Sequence, residues 1–231
     1  MGPRFRGDDV LGYDGRATTG VTPMRLVFAS LLALVAVPVL AQQHEQLPTE
    51  APGAPDPARA VAGTYQVNPD HTQVLFTLSH LGFSEYTGMF TLPTGTLTLD
   101  PKNPAADKVD VTFRIDKVRT TVPELDAHLQ TADFFDAAKY PTAHFVSTKV
   151  TQTGEGAATI DGNLTFHGVT RPISLDARFV GAGKGIMWPP NPNIGFAATT
   201  TIKRSDWGMG FGVPLVSDDV LLTINAAFEQ K

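Results

Sequence analysis

Cysteine is absent from this 231-residue chain. Its absence removes disulfides, thiol catalysis and thiolate-ligated metal together. Tyrosine and tryptophan are scarce, four and two residues against fourteen phenylalanines. Most of the aromatic surface therefore has no hydrogen-bonding tip. No basic stripe is present: 18 Lys and Arg face 23 Asp and Glu, for a formal net charge of −5. That balance argues against nucleic-acid binding. No Gly-x-Ser-x-Gly elbow or His-Glu-x-x-His motif occurs, and beyond His44 the histidines are scattered at 71, 80, 128, 144 and 167. Catalysis, a metal site and a built-in cofactor are therefore not expected.

What the sequence does contain begins with an apolar run. Met24–Ala41, MRLVFASLLALVAVPVLA, has Arg25 ahead of a hydrophobic stretch and ends in the small-residue site Val39-Leu40-Ala41. This is the pattern of a cleavable secretory signal peptide, too short for a comfortable membrane span. The expected location is periplasmic or secreted, with no permanent membrane span after cleavage. Residues 1–23 lack periodicity and read as an upstream extension from a mis-assigned start. Residues 42–63 place Pro48, Pro52, Pro55 and Pro57 among Ala, Glu and Gln, which reads as a semi-rigid linker that leaves a tail. Residues 64–231 form one domain.

Within that domain the hydrophobic period is two. Val109, Val111, Phe113 and Ile115 alternate with Asp110, Thr112, Arg114 and Asp116. The same alternation runs through 74–78, 160–166, 173–179, 196–202 and 220–228. Turn signals separate the runs at 93–95, 101–104, 154–156, Gly181-Ala182-Gly183 and 218–219. The reading is an all-β antiparallel sandwich or barrel. One segment, 122–138, has helical spacing at Val122, Leu125 and Leu129 and is expected to form one short helix followed by a turn that delivers Phe134 and Phe135 to the barrel. The interior is apolar almost throughout. Alternation alone leaves open whether it packs solid or holds a ligand.

Several blocks follow one another in order: Asp70-His71-Thr72, His80-Leu81-Gly82-Phe83-Ser84, Gly88-Met89-Phe90, Leu125-Asp126-Ala127-His128-Leu129, Asp133 to Pro141, Gly162 to Pro172, Lys203 to Met209 and Ser217 to Val220. This set resembles the YceI-like family across nearly all of 64–231. The resemblance implies an extended, lipocalin-like, eight-stranded antiparallel barrel with one short helical segment. It also implies a polyisoprenoid or other long-chain amphiphile bound in the lumen. Two departures stand out. Trp207 takes a position where another aromatic such as Phe is common, and the Met187–Pro192 insert, MWPPNP, looks peculiar to this chain.

The expected wall of the lumen is Phe76, Leu78, Phe90, Phe113, Ile115, Phe134, Phe135, Phe145, Phe166, Leu175, Phe179 and Ile224. An apolar tail needs only a continuous apolar surface, since burial gains roughly 25 cal/mol per Å². Head-group candidates at strand ends and turns are His71, His80, His167, Arg171, Arg204 and Asp206. A guanidinium forks well onto phosphate, so Arg171 and Arg204 come first if the ligand is a pyrophosphate. Two other readings stay open: an enzyme using His71, His80 or His167 as general base on a small amphiphile, and a structural domain with a solid core. A homodimer is compatible with the sequence.

Overall fold

The computed structural model describes residues 48–231, so the expected leader at 24–41, the stretch 1–23 and residues 42–47 of the expected linker lie outside the described residues. The strands are β1 (Gly63–Val67), β2 (Gln73–His80), β3 (Ser84–Phe90), β4 (Thr94–Leu99), β5 (Lys108–Arg114), β6 (Val118–Arg119), β7 (Thr142–Gly154), β8 (Ala157–Phe166), β9 (Val169–Lys184), β10 (Pro192–Lys203) and β11 (Asp219–Gln230). One α-helix, α1 (Pro123–Leu129), lies between β6 and β7.

Eight of these strands close a ring in the order β1-β4-β5-β7-β8-β9-β10-β11, with β11 returning to β1 through the pair Val67↔Phe228. All neighbours run antiparallel. Closure pairs both sides of the eight ring strands over most of their length, which limits edge-to-edge association. Strand β11 serves twice. Its C-terminal residues close the ring on β1, while its N-terminal half pairs with β2, from Leu221↔Thr77 to Asn225↔Gln73. Strands β3 and β6 follow β2 outward.

The end of the barrel that carries α1 is filled with aromatic and aliphatic side chains. Phe76, Phe90, Phe135 and Phe166 form a ring cluster with centroids 5.5 to 6.5 Å apart, mostly tilted or edge-to-face. Leu129 of α1 and Trp207 are buried against the same cluster. Two glycines make room for it. A Cβ on Gly88 would meet the Phe76 ring, and one on Gly162 would meet the Phe145 ring and the Val146 carbonyl.

Three local expectations change. Gly181-Ala182-Gly183 is not a turn, because β9 runs through it to Lys184. Its glycines instead let another backbone approach: Ala54 exchanges two hydrogen bonds with Ala182, at 3.1 and 3.0 Å, and a Cβ on Gly183 would meet the Pro52 carbonyl. For the same reason the described part of the linker is no free tail, since Pro52 to Ala54 lie along the edge that β9 offers beyond the start of β8. Ile115 leaves strand geometry and opens a 3-10 turn, Ile115–Lys117, fully buried.

Candidate functional site

The opposite end of the barrel is hollow, and small residues make it so. Ala158 of β8 faces Ala177 of β9, Ala177 faces Ala198 of β10, and Ala198 faces Ile224 of β11. Three short side chains thus lie side by side on the inner face of β8, β9 and β10, next to Ile224 of β11, where the other end of the barrel carries Phe and Leu. A wall of alanines leaves volume that aromatic side chains would fill. An outer chamber of about 240 Å³ results, lined by all four of these residues and by Phe179, Phe196 and Phe228. An inner chamber of about 130 Å³ shares Val109, Leu175, Ile224, Ala226 and Phe228 with it and continues toward the closed end. Together they reach the lower part of the roughly 300–1,000 Å³ range of small-molecule sites.

Almost nothing polar faces this space. The one polar residue of the inner chamber is Thr72, whose hydroxyl donates to the Ala227 carbonyl at 3.1 Å and accepts from the Ala227 amide at 3.0 Å. With both bonds made, that hydroxyl has little left to offer a ligand. The outer chamber reaches the surface between Pro57, Ala60, Pro101, Pro104 and the β7–β8 turn at Gly156. Asp107, Gln152 and Arg178 stand at this rim. Asp107 is half-buried, and desolvation pushes its carboxyl above the usual carboxylate range. The Asp100 amide, donating to it at 2.7 Å, works in the opposite direction.

The expected wall residues divide between the two ends. Phe90, Phe113, Phe145, Phe166, Leu175, Phe179 and Ile224 line the chambers, Phe90 and Phe166 at the boundary where the aromatic cluster begins. Phe76, Leu78, Ile115, Phe134 and Phe135 belong to the packed end instead. Short residues on the wall, Ala158, Ala177, Ala198 and Ala226, were not among the expected ones. The signal for them was alanine at inward positions of the period-two pattern.

The head-group candidates do not gather at the rim. His71 sits at the β1–β2 turn, exposed, with Nδ1 3.0 Å from the Asn68 side-chain oxygen. His80, His167, Arg171, Arg204 and Asp206 lie at the far, packed end. There the β8–β9 turn meets a 3-10 turn, Arg204–Trp207. His167 donates from Nδ1 to the Trp207 carbonyl at 2.9 Å, its ring 4.5 Å from that of Tyr140. Arg171 donates to the Asp206 carbonyl at 3.2 Å, and Asp206 itself is exposed. His80 is also exposed and bridges Val216 through its backbone.

Arg204 departs furthest from the expectation. It is 6% exposed and donates to four carbonyls, those of Ser217, Met209, Phe211 and Val216, at 2.7 to 2.9 Å. Four of its five N–H groups are thereby committed to the chain's own backbone, so no fork remains for a phosphate. Burial lowers its pKa from the ordinary value, and the nearby Asp218 charge pulls the other way. Among the described residues no cluster of His, Asp or Glu is arranged to hold a metal ion, and no helix is long and apolar enough to cross a membrane.

Residues 65–228 match the YceI-like domain. Protein YceI of Escherichia coli O157:H7 is 41% identical over 174 residues, covering 74% of this chain and 90% of that protein. A UPF0312 protein of Ectopseudomonas mendocina is 39% identical over 169 residues, covering 72% and 87%. Among solved structures, the Campylobacter jejuni YceI protein superposes with a TM-score of 0.60 at 34% identity, over 66% of this chain and 90% of that one. A polyisoprenoid binding domain from Saccharophagus degradans, implicated in plant cell wall breakdown, gives 0.55 at 15% identity, over 72% and 98%.

Proposed function

The chain belongs to the YceI-like family, and on that footing we propose that it is a binding protein holding a polyisoprenoid, or a similar long-chain amphiphile, in its barrel lumen outside the cytoplasm. The observation that carries this reading is the pair of adjoining chambers whose inner member has a single polar residue, already bonded to backbone. An environment of that kind suits a hydrocarbon tail and rejects a hydrogen-bonding ligand, because a polar group brought into it would lose its water without replacement. The name borne by the Saccharophagus degradans domain supports the ligand class. The signal-like run at 24–41 supports the location.

In this reading the tail enters between Pro57, Pro101 and the β7–β8 turn and runs past the alanine row toward Phe90, Phe145 and Phe166. The head group stays at the rim, beside Asp107, Gln152 and Arg178. A catalytic role for His71, His80 or His167 gains no support. The first lies at a turn outside the chambers, and the other two lie at the packed end. A solid core accounts for only that packed end.

The test is to purify the protein from its native host, extract it with organic solvent and identify the lipid by mass spectrometry. The expected result is one long-chain lipid per chain, and an intact mass that starts near Gln42. Protein that carries no lipid and takes up no added polyprenyl lipid would overturn the proposal.

A further inference from the structure

The seven residues between Lys184 and Pro192, Gly-Ile-Met-Trp-Pro-Pro-Asn, take no part in the lumen wall or in the packed end. They form the tip of the hairpin that joins β9 to β10. Ile186, Met187 and Trp188 are 56%, 78% and 91% exposed there. None of the seven residues is charged. The base of the tip is nevertheless fixed. The Gly185 amide donates to the Asn191 carbonyl at 2.8 Å, the Asn191 side-chain amide to the Glu229 carboxylate at 3.1 Å, and the Asn193 side-chain amide to the Asn191 carbonyl at 3.0 Å. Three large apolar side chains are thus held out into water on a braced loop, an arrangement that calls for an apolar partner.

Register places this tip at the open end. Phe179 pairs with Phe196 and both line the outer chamber, while Lys184 pairs with Pro192 five residues farther along β9. The tip therefore stands beyond the rim, on the side where the lumen opens.

We propose that this hairpin tip is a membrane-surface anchor, with Ile186, Met187 and Trp188 entering the interfacial layer of a bilayer and holding the mouth of the lumen against it. An indole at the boundary keeps its ring in the apolar layer and its N–H in water, and tryptophan is enriched at that depth. The shape argues against a second copy of this chain as the occupant. Three side chains on a convex tip fall short of the roughly 800 Å² per partner of a stable protein interface. The contact is apolar rather than electrostatic, since the two charges at the base of the tip, Lys184 and Glu229, are of opposite sign and the chain is net negative. Its purpose, passing a lipid between bilayer and lumen without crossing water, rests on the lipid-binding reading. The anchoring itself holds with an empty lumen.

The test uses the mature chain and unilamellar vesicles of phosphatidylethanolamine and phosphatidylglycerol. Trp207 is 2% exposed, so it serves as a constant background while Trp188 reports. Vesicles should shift the emission to the blue and protect Trp188 from iodide, at low and high salt alike. Replacing Ile186, Met187 and Trp188 together by serine should lower co-flotation with vesicles about tenfold or more, with an unchanged circular dichroism spectrum. Three outcomes overturn the proposal: Trp188 emission indifferent to vesicles; a serine variant that floats as well as the parent, which would assign the contact to exposed Leu81 and Phe83 at the other end; or burial of Trp188 by dimerisation without lipid. Lipid uptake from detergent by the serine variant separates the two readings, because it reports on the lumen without the tip.

Discussion

At Arg204 a charged side chain acts as a mechanical clamp. Its four carbonyl partners come from the loop 209–217, and that loop has no regular ladder to satisfy them. Removing the guanidinium leaves buried carbonyls without donors, a loss on the order of 3 kcal/mol. Arg204→Ala should therefore lower the urea midpoint clearly, and Arg204→Lys should recover little, because one ammonium cannot span the carbonyls that a planar fork reaches. An unchanged midpoint for the alanine variant would show that the loop finds other partners. The residue itself was conspicuous in the sequence, within Lys203-Arg204-Ser205-Asp206-Trp207. Its role was not legible, because an Arg at a strand end reads the same whether it faces a ligand or its own backbone. Only the path of the loop after Trp207 distinguishes the two.

At the scale of the element, glycine shows how one residue type carries opposite messages. In β8, Gly162 lies under the Phe145 ring, so its missing side chain is what lets that ring lie across the neighbouring strand. Gly162→Val forces the ring off its seat and presses on the Val146 carbonyl, with a cost of about 1–3 kcal/mol for overpacking. Thermal denaturation should show a lower midpoint, and adding Phe145→Leu should restore part of it in a double-mutant cycle. Additive effects would mean that the two do not interact. In β9, Gly181 and Gly183 read as a turn but serve a close approach by Pro52 and Ala54. Missing Cβ atoms permit both arrangements, and local sequence does not say which the rest of the chain will use. Amphipathic strands were more legible, since alternation over five or more residues has one good structural solution when one face must be buried.

For the whole molecule, the division into a packed end and a hollow end decides what the barrel can do. Ala226 lines both chambers on β11. Ala226→Trp should fill the space where they join, leaving the thermal midpoint unchanged or raised while abolishing lipid uptake. Uptake that survives the substitution would place the ligand outside the lumen. The sequence by itself determined the β pattern and the apolar character of the interior, because each is written in runs of neighbouring residues. The blocks from Asp70 to Val220 also identified the family, and with it the barrel. The tertiary structure alone decided which end is hollow. Ala158, Ala177, Ala198 and Ile224 are far apart in the chain, and they make one thin wall only after four strands pair in one register. It also decided that Arg204 turns inward to backbone, and that the Trp188 tip stands beside the open mouth. These are facts about which distant residues meet, and pairing register sets them rather than local composition.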